Sequence, residues 1–366
     1  MKIAIFNNFM DNIGGAEIVT LTLVRELNAD LYTTNIDKDK IKKMGFEDIL
    51  PRIFSIGKIP VNAPFRHQFA LWKFRKLNLN LKKEKYNFFI ISGDWAVSGA
   101  VNNKPNLWYV HSPLNELWQF KNYIRKNVLS WWKTPLFDIF VWFNGKLTLK
   151  YSKHVQKWVC NSENTKNRIK KYYGKNAIVI NPPIDISKYA YKKNKGYWLS
   201  VNRLITHKRI ELQMKAFAKL PNEKLIIVGS YEKGARQFET YKKFLERIQP
   251  KNVEIINWVN DKKLKTLYSE CKGFITTARD EDFGMTPVEA MASGKPVIAP
   301  NEGGYKESII NEKTGILIDD INEDKIINAI KYIGKNTEKY KQECLRQAKI
   351  FDTKKFIIKI NKEIDK

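Results

Sequence analysis

Apolar and polar positions along this chain fall into two long stretches of the same design. A short apolar run over 3–6 is followed by a polar loop at 7–15, then by helically spaced apolar positions over 16–27. Further apolar runs at 31–34, 88–92, 107–110 and 158–160 alternate with amphipathic stretches. Short strands alternating with helices predict an α/β unit with a parallel, doubly wound sheet. Asn181-Pro182-Pro183 then breaks the pattern, because two prolines remove two donors and hold the chain extended. Beyond the break the alternation restarts. Strands are expected at 196–201, 225–228, 253–256, 273–276 and 296–298, with helices over 209–218, 262–271 and 286–292 between them. The chain therefore reads as two Rossmann-like domains, 1–180 and 181–349, with a short basic helix near 350–366 whose packing back on the first the pattern leaves open.

Composition narrows the class without naming it. Hydrophobic residues make up 43% and charged residues 28% of 366 residues, a balance that supports folded cores rather than disorder. No run of eighteen apolar residues occurs, so no spanning helix is expected, and the N-terminus lacks the apolar core and cleavage site of a secretory leader. Cys160, Cys271 and Cys344 are far apart and odd in number, which fits a reduced, cytoplasmic setting.

The net charge of +27 changes the picture more. Residues 1–180 hold 29 Lys/Arg against 13 Asp/Glu, and eight of the ten tryptophans also lie there. The stretch 60–85 interleaves Arg66, Lys73, Arg75, Lys76, Lys82, Lys83 and Lys85 with Phe65, Phe69, Trp72 and Phe74. With 118–133, which contains Trp131-Trp132-Lys133, it suggests docking on an anionic membrane surface, the alternative being aromatics packed in a core beneath solvated lysines. Nucleic acid is the other partner that such charge suggests. No helix-turn-helix, RNA-recognition or zinc-finger spacing accompanies it, so none is expected.

The segment 281–300, EDFGMTPVEAMASGKPVIAP, concentrates the chemistry. It sets Glu281 in a loop and Glu289 in the following helix, with Phe283-Gly284-Met285-Thr286 at the helix start, where backbone N–H groups suit phosphate oxygens. Arg203 and Lys208 stand five apart after a strand, and two fixed cations there would stabilise a departing diphosphate. On spacing alone each of these also reads as ordinary surface. His111 follows an apolar run and on the same terms is as readily structural. Asp261 would accept from a guanine edge or cap the helix at 262–271. His/Cys clusters with metal-ligand spacing are absent.

Taken together, the segments resemble the retaining glycosyltransferases of family 4. Besides 281–300, the matching words are GGAE at 14–17, YVHSP at 109–113, CNSENTKNRI at 160–169, INPPID at 180–185 and LSVNRLITHKRIELQMKAFAKLP at 199–221, in the same order. The resemblance implies the GT-B fold, two Rossmann-like domains facing across a cleft, the first taking the acceptor and the second the nucleotide-sugar. It implies donor binding by Gly14, Gly15, Arg203, Lys208, Asp261, Phe283, Gly284, Met285, Thr286 and Glu289, and catalysis served by His111, Glu281, Arg203 and Lys208. It implies no metal and no cofactor beyond the donor. The wording of 281–284 resembles the mannosyltransferase branch, which suggests a hexose from GDP-mannose moved onto a lipid-linked or surface-polysaccharide acceptor. A UDP-sugar with a small soluble acceptor is the alternative. Nucleotide selection is expected near Gly229-Ser230 and 258–261.

Overall fold

Seven parallel strands build the first sheet: β1 (Ile3–Phe6), β2 (Asp30–Thr33), β3 (Ile53–Ser55), β4 (Phe88–Ile91), β5 (Asn106–Val110), β6 (Lys157–Cys160) and β7 (Ile178–Val179). Their order is β3-β2-β1-β4-β5-β6-β7. Six more parallel strands build the second: β8 (Tyr197–Arg203), β9 (Lys224–Ser230), β10 (Val253–Ile256), β11 (Gly273–Ile275), β12 (Val297–Pro300) and β13 (Gly315–Ile318), ordered β10-β9-β8-β11-β12-β13. The structure is a computed structural model and describes residues 1–61, 65–81, 86–114, 117–127, 129–230, 236–257 and 259–366. Contacts divide it into two compact units, Met1–Asn181 with Phe356–Lys366, and Pro182–Lys355.

Central strands β1, β4 and β5 are buried at every residue, as strands covered on both faces must be, which is why their sequences are apolar but for Asn106 at the start of β5. The strands that the pattern did not announce, β3, β7 and β13, lie at sheet edges. One-sided cover leaves an edge strand short and mixed, and β7 has only two residues. Helix ends follow local chemistry. Ser162 accepts from the Thr165 N–H at 3.0 Å to start the helix Glu163–Tyr173, and Gly174, at φ 64°, ends it.

The tryptophans of the first unit divide. Trp95, Trp108 and Trp158 are core, whereas Trp72, Trp131, Trp132 and Trp142 are exposed. The C-terminal segment joins the first unit by packing. Phe356 meets the Tyr109 ring edge-on at 5.7 Å, and the Lys157 ammonium donates to the Glu363 carbonyl at 2.7 Å.

Candidate functional site

In the second unit the direction of strand succession reverses between β8 and β11, so the loops leaving their carboxyl ends diverge around a crevice, the usual ligand position in such sheets. Arg203 is the last residue of β8 rather than a loop residue, and it is exposed and makes no ion pair among the described residues. One tight turn, Thr206–Lys208, follows, and Arg209 reverses the chain at φ 50° into the helix Ile210–Ala218. The Lys208 ammonium pairs with the Glu281 carboxylate, delivered by the loop after β11. Burial acts to raise the Glu281 carboxyl, but Lys208, aided by Arg203, outweighs it and holds the group below its ordinary value.

Arg209 and His207 flank Lys208 and are drawn into the structure. The Arg209 guanidinium pairs with Glu302, and it donates to the carbonyls of Thr277 at 2.6 Å and Ala278 at 3.2 Å. It thereby ties the loops after β8, β11 and β12 together. His207 is half-buried, and burial with the neighbouring Lys208 charge draws its imidazole down to about 4.

The loop carrying Glu281 is shaped by two glycines. Gly303 sits at φ 61°, and a Cβ there would lie 2.4 Å from the Glu281 carbonyl oxygen and 2.7 Å from its nitrogen. The adjacent Gly304 N–H donates to that carbonyl at 2.8 Å. Gly284, at φ 85°, caps the helix Met285–Ala292 beside the Tyr305 ring. The N–H groups of Met285 and Thr286 belong to the first turn and have no partner within the helix, and Pro287 has none to leave unpaired. Phe283 is core and packs against Phe351, so only its backbone remains for a ligand.

Glu289 projects from the same helix, half-buried, and its Oε2 accepts from the Tyr268 hydroxyl at 2.7 Å. Burial pushes its carboxyl up, and hydrogen bonds from Tyr268 and Tyr189 only partly offset this. Two carboxyls on one segment are thus shifted in opposite directions. Asp261 is not a cap. Asn260 caps the helix Asp261–Glu270 by accepting from the Lys263 N–H at 2.8 Å, while Asp261, the first helical residue, pairs with Lys265. Of the other residues expected near the base, Gly229 and Ser230 end β9, while Trp258 lies outside the described residues, as do Lys82, Lys83 and Lys85 of the basic stretch.

The first unit presents different chemistry at its own reversal, between β1 and β4. Gly14, in extended conformation, precedes the helix Gly15–Glu26, which carries Thr20. His111 stands one residue beyond β5. The Thr20 hydroxyl lies 2.9 Å from the Ala16 carbonyl and 2.6 Å from the Ser92 hydroxyl, which is 2.8 Å from His111 Nε2. Each hydroxyl has one proton. A carbonyl only accepts, so Thr20 donates to Ala16, Ser92 donates to Thr20, and His111 donates through Nε2–H to Ser92. This network assigns the tautomer and leaves Nδ1 as an acceptor. Burial draws the imidazole down to about 4, so it is neutral near pH 7.

Each unit thus assembles part of the expected set: Arg203, Lys208, Glu281 and the Gly284–Thr286 turn in the second, Gly14, Gly15 and His111 in the first. The pattern missed Tyr268, Ser92, Thr20 and the Arg209–Glu302 clamp. Only the Gly303-Gly304 pair left a sequence signal, as a tight turn after β12. Two Asp-x-Asp spacings exist, at 37–39 and 280–282. Asp37 is the cap of the helix Lys38–Lys43, and no cluster of three His, Cys, Asp or Glu suited to a metal occurs among the described residues.

Comparison with known proteins finds a match in each half of the chain. The profile described as Glycosyltransferase Family 4 matches residues 13–188, and that described as Glycosyl transferases group 1 matches 183–349. An alpha-1,3/1,6-mannosyltransferase ALG2 of Rhizomucor pusillus is 27% identical over 185 residues, which is 38% of this chain and only 41% of that protein. The chain thus spans under half the length of that relative. The ALG2 of Candida glabrata is 28% identical over 82% of this chain and 76% of its own. The crystal structure of Anabaena Alr3699/HepE in complex with UDP and glucose superposes over 100% of this chain and 99% of that one, with a TM-score of 0.75 at 16% identity, a likeness of fold.

Proposed function

We infer that this chain, which belongs to the family 4 glycosyltransferases of GT-B fold, moves a hexose from a nucleoside diphosphate to an acceptor hydroxyl with retention of configuration. The carrying observation is the pairing of Lys208 with Glu281 beside Arg203 and the Met285–Ala292 N-terminus. As the sugar–phosphate bond breaks, negative charge grows on the diphosphate. Lys208, Arg203 and the Met285 and Thr286 N–H groups form a positive cradle for it. Glu281, kept ionised, accepts from hydroxyls of the transferred sugar, and Glu289 accepts from the ribose. His111 Nδ1 accepts from a further sugar hydroxyl. The leaving phosphate takes the acceptor's proton on the face it departs from, so catalysis is positioning and charge stabilisation. Fixed cations supply the charge, and turnover should survive chelation of divalent metals.

The donor we favour is GDP-mannose, supported by the mannosyltransferase wording of 281–284 and by the names of the relatives. The acceptor we favour is lipid-linked or a surface polysaccharide, met from the cytoplasmic side, where three free buried cysteines persist. Purified protein screened for hydrolysis of GDP- and UDP-sugars tests the donor, and preference for a UDP-sugar with a small soluble acceptor overturns it. Calorimetry divides the carboxylates. Glu289→Gln should weaken binding of free nucleoside diphosphate, and Glu281→Gln should reduce turnover more than that binding. Equal loss in both variants removes the division.

A further inference from the structure

The helix Thr134–Ser152 is apolar on both sides, with Phe137, Phe140, Leu147 and Tyr151 packed against the core beneath it. Its buried positions are Val141, Asn144, Gly145, Thr148 and Ser152, four of them small or polar. Its outward positions hold Lys146 and Lys150 and, beside them, large apolar residues: Leu136 is 67% exposed, Ile139 63%, Trp142 60% and Phe143 50%. A helix on a water-facing surface keeps its outer face polar. Beside it runs the helix Arg66–Lys76, joined by the Gln68 amide donating to Asn144 Oδ1 at 2.7 Å and by a shared cluster containing Leu71 and Val141. That helix adds exposed Phe69 and Trp72, and Trp131-Trp132 precede the first. Six large apolar side chains exposed on two neighbouring helices mark a surface that is covered in use.

Charge identifies what covers it. The segments 65–81 and 117–153 carry eleven Lys/Arg and one acid, Asp138. Asp138 is 3.2 Å from Arg125 and 3.8 Å from Lys121. Lysine ammoniums sit over the exposed rings: Lys76 is 3.7 Å from Trp72, Lys146 4.0 Å from Trp142 and Lys133 4.8 Å from Trp132. Protein interfaces are depleted in lysine, whereas a bilayer's interfacial layer takes apolar rings inward and lysine heads among anionic phosphates. No helix among the described residues is long and apolar enough to cross a membrane, so this one would lie along it.

We propose that the outer faces of helices Arg66–Lys76 and Thr134–Ser152 seat the first unit in the interfacial layer of an anionic bilayer. The face expected from sequence, 60–85 with 118–133, is thereby kept at Arg66–Lys76 and extended onto Thr134–Ser152, a helix that carried no such expectation. The proposal deepens the lipid-linked-acceptor reading and rests on it for its purpose. The test is co-sedimentation of the full chain with phosphatidylcholine vesicles with and without about 30% phosphatidylglycerol, a proportion setting surface charge. Binding should need the anionic lipid, weaken with salt and fall at least ten-fold in the Ile139→Asp, Trp142→Asp variant. Replacing Lys73, Lys76 and Lys146 by Glu should abolish the preference for anionic lipid. Both sets are away from the site residues, so nucleoside diphosphate binding should be unchanged, which certifies the fold. No binding, binding indifferent to lipid charge, or self-association abolished by Ile139→Asp, Trp142→Asp without vesicle binding overturns the proposal. Retained donor hydrolysis in that event leaves the transferase reading standing, and vesicle binding without any hydrolysis removes only that reading.

Discussion

The two units share a sheet order up to the last strand and differ in what stands at the carboxyl ends. In the second, the loops after β8, β11 and β12 are bound by ion pairs, Lys208 to Glu281 and Arg209 to Glu302. In the first, the equivalent position holds a relay of neutral groups, Thr20 to Ser92 to His111. Burial is comparable, but its electrostatic consequence is not. Where opposite charges meet, Glu281 stays ionised; where only hydroxyls are present, His111 discards its proton. One scaffold therefore offers a charged end suited to a diphosphate and an uncharged end suited to sugar hydroxyls.

The largest test of that contrast removes the charges. Arg203→Ala and Lys208→Ala should each lower kcat/KM by ~2–4 kcal/mol, the scale for losing a donor to a developing oxyanion. His111→Ala should cost less. A larger loss at His111 than at Lys208, in steady-state kinetics, would break the assignment of charge chemistry to the second unit.

Next comes the support beneath Glu281. Gly303→Ala sets a Cβ 2.4 Å from the Glu281 carbonyl oxygen at a backbone angle hostile to side chains. We expect ~2–3 kcal/mol of destabilisation confined to the second unit, a shift on the order of 5 °C in its calorimetric transition. Equal movement of both transitions would contradict the separateness of the units.

The smallest effects belong to the neutral relay. Ser92→Ala should lower kcat/KM about five-fold, near 1 kcal/mol for one neutral hydrogen bond. The pH dependence follows from His111, drawn down to about 4 from an ordinary 6.5. Between those values the unfolded chain binds a proton that the folded chain refuses. Its contribution to stability is complete above pH 6.5 and declines as pH falls toward 4. Turnover should show no titration near 6.5, and a half-loss of kcat/KM as pH rises through that value would mean that the histidine works as a cation.

What the sequence disclosed follows from range. The strand Val253–Ile256 and the helix start at Gly284 are written in neighbouring residues, through an apolar run and a glycine that admits φ 85°. The Arg209–Glu302 clamp joins positions 93 apart, and no local pattern carries it. The outer face of the helix Thr134–Ser152 went unannounced for another reason. Apolar residues stand on both of its sides, and periodicity does not say which of them the core takes in.

The packing of Phe356 on Tyr109 has a consequence for synthesis. The first unit is begun first and finished last, since Phe356–Lys366 leave the ribosome after all of Pro182–Lys355. For that interval Tyr109 waits without the ring that covers it, while the whole second unit emerges and is free to fold. In topological terms the second unit is an insertion within the first, tethered at two points. A nascent chain arrested before residue 356 should therefore give a protease-resistant second unit beside a first unit still open at Tyr109.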